Sequence, residues 1–250
     1  MIKKRVMCIT AIFSIMVLSK LQSSPQGISY ENPYKKIMLD HAARLKEEIN
    51  SPANKTRVYY NSLTFADENV PTEDVSVKSK LGKYLAKFSF KKVRSHEMHN
   101  KADKYLPKIA KILESYGIPE DFKYIPIVES GLNPQVSSHK GAGGYWQFMP
   151  ATARLYGLKV NGRVDERKDF EKSTHAAARY IKDLYDQFGD WTLVAAAYNV
   201  GGGSLKASIR RQKKDDYYKL RLNNETGSYV YKIISVKEVI ENPDKYGYNI

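Results

Sequence analysis

A single cysteine, Cys8, stands in the 250 residues. It lies inside an uncharged N-terminal run, so the rest of the chain has no disulfide and no thiol for chemistry. Stability is expected from packing alone. Zinc-knuckle spacings, P-loops and dinucleotide-binding glycine patterns are also missing. His96-Glu97-Met98-His99 has one residue too few between its histidines for the zinc-protease helix motif, and reads as a pair of solvated helix histidines. No cofactor and no metal are expected. No internal repeat occurs, and no two segments alternate apolar and polar residues as paired strands do. Acidic residues are the scarcer charge, 27 Asp and Glu against 41 Lys and Arg, which leaves a formal charge of +14. A basic surface favours polyanions: nucleic acid, anionic lipid headgroups or an acidic wall polymer.

What is present narrows these options. Lys3, Lys4 and Arg5 precede an uncharged apolar run over 6–18. A basic stretch followed by a short apolar one reads as a signal peptide over 1–22. The run is shorter than the roughly 20 residues of a membrane span. An uncleaved N-terminal anchor is the alternative, and peripheral membrane association stays open with it. A basic, cysteine-free, exported chain makes nucleic acid a poor partner. The chain is 42% hydrophobic, enough for one sizeable core with a smaller helical appendage.

Helical periodicity dominates. After a linker over 23–28, Pro33 suits a first helical position, and that helix should end near Asn50. Residues 51–72 look like a loop, docked by Tyr59, Tyr60, Leu63 and Phe65. Leu81, Tyr84, Leu85 and Phe88 then recur at helical spacing. Tyr105, Ile109, Ile112 and Leu113 form a second stripe, closed by Gly117. Pro119, Glu120 and Asp121 open a helix towards Glu129, which Pro126 should kink or shorten. Short and long helices follow over 150–156 and 173–188, stopped by Gly157 and Gly189. Asp190 caps another through Tyr198, ended by Gly201, Gly202 and Gly203; 230–240 is a last amphipathic helix. The expected class is mainly α. An N-terminal extension and linker covers 23–74, the main domain 75–245 and a tail 246–250.

Glu129 closes the apolar stretch Tyr124-Ile125-Pro126-Ile127-Val128. Apolar neighbours make a carboxyl harder to ionise, which suits a general acid. A helix-end glutamate with its head in water is the plain alternative. The surrounding motifs favour the acid. Glu129-Ser130-Gly131-Leu132-Asn133-Pro134, then Ser138, then Gly141-Ala142-Gly143-Gly144-Tyr145-Trp146-Gln147-Phe148-Met149-Pro150 resemble the soluble lytic transglycosylase domain. Ala195-Ala196-Ala197-Tyr198-Asn199-Val200-Gly201 and Glu225-Thr226-Gly227-Ser228-Tyr229-Val230 resemble its later signatures, in the right order. Val164-Asp165-Glu166-Arg167 and the 174–184 helix place the likeness nearest the membrane-bound D type. It spans about residues 75 to 245.

The resemblance implies a lysozyme-like, mostly helical fold with a long cleft, acting on peptidoglycan in the periplasm or cell envelope, as a monomer. It makes Glu129 the catalytic acid and base. Ser138 would orient the reacting N-acetyl group or the acid. Gln147 and Met149 would line sugar subsites, Tyr198 and Asn199 would flank the carboxyl, and Tyr229 would hydrogen-bond it. Tyr145 and Trp146 join Tyr198 and Tyr229 as candidates for sugar stacking. One departure stands out: the family's Gly-Pro-Gly is Gly201-Gly202-Gly203 here, which should loosen a loop. D-type relatives often carry C-terminal wall-binding repeats; with none before Ile250, wall affinity is expected from the cleft and the basic surface. No second carboxylate stands out, and Asp165, Asp169 and Asp190 read as turn and cap residues. That favours a non-hydrolytic route in which the sugar's own C6 hydroxyl attacks. A goose-type lysozyme-like hydrolase and a non-catalytic wall-binding scaffold are the competing readings.

Overall fold

The computed structural model describes residues 33–250. The signal peptide expected over 1–22, the linker over 23–28 and Cys8 lie outside the described residues. The chain divides into two compact units, Met1–Lys55 and Thr56–Ile250. The described part of the first holds α1 (Pro33–Asn50), with Pro33 opening it as its fixed φ allows.

Residues 51–72 are more ordered than their composition suggests. They form α2 (Pro52–Asn61) and a small hairpin, β1 (Thr64–Phe65) and β2 (Glu68–Asn69). Strands of two residues are too short to show an alternating pattern. Their turn uses Ala66 and Asp67 at φ 51° and 64°, the primed-turn geometry without its usual Asn-Gly signature. Leu63 and Phe65 are buried and Tyr59 and Tyr60 pack on the core, the docking expected of them. The second compact unit begins at Thr56 and so includes this stretch.

Asp74 caps α3 (Val75–Phe88) by accepting the Ser76 N–H at 2.7 Å, and Val77, Leu81 and Leu85 face inward. A single turn, α4 (Phe90–Val93), leads to α5 (Glu97–Glu114). His99 is not solvated. It opens the stripe His99, Ala102, Leu106, Ile109 and Leu113, whose spacing of three and four puts all five on the buried face. Its ring lies 4.1 Å from that of Tyr248, and Nε2 is 3.2 Å from the Val239 carbonyl.

The segment after Pro119 changes helix type, as its inner proline requires. A 3₁₀ turn over 120–124 passes into α6 (Ile125–Ser130), where Pro126 sits in the first turn and no N–H is missed. After α7 (Pro150–Leu155), Asp169 caps α8 (Phe170–Phe188), accepting the Lys172 N–H at 2.9 Å. α9 (Trp191–Val200) and α10 (Gly202–Gln212) are separated by Gly201 alone. The expected loose loop is absent: Gly202 and Gly203 form the first turn of α10, and a Cβ on Gly202 would come within 3.3 Å of Leu184 and Gln187. Arg210, Arg211, Lys213 and Lys214 are exposed at the far end of α10.

α11 (Tyr229–Glu241) is the central helix, not an amphipathic one. Tyr229, Val230, Tyr231, Ile233, Ile234, Val236 and Val239 are all buried, and the helix touches α3, α6, α9 and the 3₁₀ turn. A helix enclosed on most sides loses its polar face. Asp121 ties this centre together. Its carboxylate pairs with Lys237 of α11 at 2.8 Å and accepts the Ala66 N–H of the hairpin turn at 2.8 Å. The mainly α class is as expected. Among the described residues no helix is long and apolar enough to cross a membrane.

Candidate active site

Glu129 sits in the last turn of α6. Gly131 follows at φ 61° and ends the helix in the left-handed conformation that glycine adopts without steric cost. Between them, Ser130 Oγ donates at 2.8 Å to the Tyr145 carbonyl. That bond ties the acid-bearing helix to the glycine-rich loop opposite. Together these elements border a cleft of about 710 Å³.

Six of the seven residues expected at the site line this cleft: Glu129, Ser138, Gln147, Met149, Tyr198 and Asn199. The seventh, Tyr229, lies behind Glu129 at the start of α11 and donates its hydroxyl to Oε1. Ser138 Oγ accepts the Ala142 N–H at 3.0 Å, closing the turn at the rim. The Gln147 amide donates to the Val136 and Gly144 carbonyls, both at 2.9 Å. Tyr198 donates to the Trp146 carbonyl at 2.8 Å, and Asn199 accepts from Thr226 at 2.8 Å. Met149 is 43% exposed at the entry to α7, open to a bound chain.

Burial raises the Glu129 carboxyl from its ordinary 4.5 to about 7, because an apolar surround penalises the charge. The Tyr229 hydroxyl opposes this, Glu225 adds to it and Lys232 again opposes it. The residue keeps one side open to the cleft. A carboxyl poised near neutral pH can both give and take a proton. Burial pushes the Tyr229 and Tyr198 hydroxyls well above their usual range, so both stay protonated donors.

Three stacking candidates fall away. Tyr229 is 1% exposed behind Glu129 and offers no ring face to the cleft. Trp146 is 1% exposed, with Nε1 bonded to Thr174 at 3.1 Å, and Tyr145 packs against Tyr105 and Phe170. Both rings point into the core, where their area stabilises the loop from behind. Their motif gave no sign of which way the loop folds. Sequence reasoning also missed Glu225. It stands in the tyrosine motif yet lines the cleft with Glu129, so a second carboxylate is present after all. Asp165, Asp169 and Asp190 are the turn and cap residues expected, accepting the N–H groups of Arg167, Lys172 and Leu193.

Tyr229→Phe should slow any reaction that draws on the Glu129 proton by about 10- to 100-fold, the usual range for a hydrogen bond to a charged group. The hydroxyl favours the carboxylate, so its loss should move the Glu129 ionisation further up. A pH profile of kcat/KM whose falling limb stays in place or moves down would contradict this.

Residues 108–221 match the family described as Transglycosylase SLT domain. The chain is 34% identical over 183 residues to membrane-bound lytic murein transglycosylase D of Escherichia coli (strain K12), an alignment covering 71% of this chain and 39% of that protein. It is 32% identical over 83 residues to the soluble lytic murein transglycosylase of the same strain, covering 31% of this chain and 13% of the relative. The chain thus spans well under half the length of these relatives. The crystal structure of the 70 kDa soluble lytic transglycosylase from Escherichia coli aligns with 68% of this chain and 30% of that one, at 20% identity and a TM-score of 0.44. The mainly helical class is as expected, and residues 108–221 of the chain belong to the Transglycosylase SLT domain family.

Proposed function

We propose that this protein is a peptidoglycan lytic transglycosylase that uses Glu129 first as acid and then as base. The observation that carries the reading is the cleft-side carboxyl held near pH 7 by burial, with a buried tyrosine hydroxyl fixing its orientation. Protonated Glu129 gives its proton to the glycosidic oxygen between N-acetylmuramic acid and N-acetylglucosamine, and that C–O bond breaks. The N-acetyl carbonyl of the muramic residue steadies the cationic C1, a substrate-assisted route. Glu129, now a carboxylate, takes the proton of the same sugar's C6 hydroxyl as its oxygen bonds to C1. The acid ends as it began and no water is consumed. An internal nucleophile gains from high effective molarity.

Ser138, Gln147, Met149, Tyr198 and Asn199 bind or orient the glycan, and Tyr229 orients the acid. The +14 charge suits an acidic wall, and the basic-then-apolar N-terminus supports export to the periplasm or cell envelope. The catalytic domain is the 75–245 span of the motifs, which lies inside the compact unit Thr56–Ile250.

One observation favours a second reading. Glu225 shares the cleft, and hydrolases of this chemistry use a second carboxylate to activate water. Products decide between the two. Digestion of purified sacculi should release fragments ending in 1,6-anhydro-N-acetylmuramic acid, one water lighter than hydrolytic ends and resistant to borohydride. A majority of reducible ends in the mass spectrum would establish the lysozyme-like hydrolase and give Glu225 the water. Folded protein that releases no ends would leave only a wall-binding scaffold.

A further inference from the structure

Arg167 belongs to none of the residues that line the cleft, yet it is 8% exposed and bonded on every side. Its Nε and Nη2 grip both oxygens of Asp165 at 2.8 Å. Its Nη1 reaches the other way, to the Gly141 carbonyl at 2.7 Å and the Phe148 carbonyl at 2.9 Å. Four of the roughly five N–H donors of a guanidinium are thereby used. The two carbonyls stand at the two ends of the 141–148 loop. Gly143 lies over the guanidinium, where a Cβ would come within 3.1 Å of Cζ. Gly144, at φ 77°, passes so close that a Cβ would sit 1.9 Å from the Arg167 carbonyl oxygen. The loop is shaped around this side chain.

We propose that Arg167 is a positioning residue for the glycan cleft: anchored by Asp165, it clamps the 138–148 segment and so fixes Ser138 and Gln147 where the sugar chain lies. This rests on the reading of the cleft as a glycan site. The loop needs such a clamp. Gln147 holds a left-handed φ of 48° without being glycine, a conformation that persists only when its surroundings over-determine it. The loop's own backbone bonds are short-range turns, Gly141 N–H to Ser138 at 2.9 Å and Gln147 N–H to Gly144 at 3.2 Å, and two cross-ties, Ser138 N–H to Ala142 at 2.9 Å and Gly143 N–H to Phe148 at 3.0 Å. Side chains add the Ala142 N–H to Ser138 Oγ and the Gln147 amide to Gly144. Arg167 doubles the tie at Phe148 and adds the one at Gly141, two residues from the Ser138-His139 rim. A lysine cannot replace it, since an ammonium has no planar fork to hold a carboxylate and two carbonyls together.

A merely structural arginine would cost stability and leave a folded variant's binding unchanged. A clamp acts on substrate binding and leaves the acid alone. In the full-length chain, Arg167→Lys should raise KM for glycan strands by about tenfold or more while kcat stays within about threefold, a loss of binding and not of chemistry. The falling limb of its pH profile near 7 should not move, because Glu129 keeps its surroundings. A binding readout separates this inference from the proposed activity. In a Glu129→Gln background, Arg167→Lys should weaken the affinity for a chito-oligosaccharide by about tenfold in calorimetry. That result with no anhydro ends from the parent enzyme would sink the transglycosylase reading and leave the clamp standing. A folded Arg167→Lys with KM and affinity within about twofold of its parent, or with kcat lost and KM unchanged, overturns the clamp. If Arg167→Lys does not fold, Asp165→Asn tests the same point, since it leaves the guanidinium and removes only its charged anchor. KM must rise more than kcat falls, and an unchanged affinity there overturns the proposal.

Discussion

Glu129→Gln is expected to lower glycan cleavage by about 10³- to 10⁴-fold, the upper part of the range for removing a general acid and base. The amide keeps the shape of the side chain but has no proton to give to the glycosidic oxygen near neutral pH. Neither can it take one from the C6 hydroxyl, so both halves of the proposed cycle fail together. The same substitution should change stability in the opposite direction. Below about pH 4.5 the carboxyl is protonated in folded and unfolded chains alike, and burial costs nothing extra. Between 4.5 and about 7 the unfolded chain has lost the proton that the folded chain keeps, so stability falls as pH rises. Above about 7 the buried charge weighs on the folded state in full. The glutamine carries no charge, so the variant should melt above its parent at pH 8, with the gap closing at pH 4. Thermal melts at the two pH values, beside the activity assay, check both halves. Activity within about tenfold of the parent would move the acid elsewhere, and identical melting at pH 8 would contradict the buried charge.

Asp121→Ala should destabilise the domain by about 3–5 kcal/mol, the usual cost of removing one partner of a buried ion pair. In the pair, the Lys237 side chain is 17% exposed and that of Asp121 10%. Without the carboxylate, the Lys237 ammonium is left beside α11 with no counter-charge, and the Ala66 N–H loses its acceptor. The hairpin, the 3₁₀ turn and the central helix all meet at this group, so the loss is shared by three elements. At roughly 2–4 °C per kcal/mol for a domain of this size, the melting temperature should fall by about 6–20 °C. Asp121→Leu with Lys237→Met should recover much of it, because apolar side chains of similar volume remove the stranded charge. Full recovery is not expected, since the Ala66 N–H stays unbonded. A loss under about 1 kcal/mol for Asp121→Ala would mean that water reaches the pair.

Helices whose apolar residues recur at three and four, and whose ends carry local signals, were legible from one dimension. Asp169 and Gly189 bracket α8 with groups that act only on their own helix, and Pro126 limits α6 by its own ring. The place of Glu129 at the cleft was legible too, through the apolar residues before it and the order of three motifs. The elements that escaped depend on partners distant in the chain. His99 reads as a surface histidine until Tyr248 and Val239 arrive beside it. Trp146 reads as a sugar platform until Thr174 takes its N–H. The 64–69 hairpin is too short to show a period, and Asp121, not its own turn residues, satisfies its Ala66 N–H.

The cleft divides in the same way. Motifs resembling the transglycosylase domain pointed to which residues border it, and local chemistry added the apolar neighbours of Glu129 and the glycines where a loop must turn. Only the tertiary structure decided what surrounds them. It buried Glu129 enough to bring its ionisation near pH 7, set Tyr229 against it from 100 residues away, brought Glu225 into the same cleft and closed the loop around Arg167. Desolvation and hydrogen bonding depend on which groups meet in space, and sequence spacing encodes such meetings only within a single helix or turn.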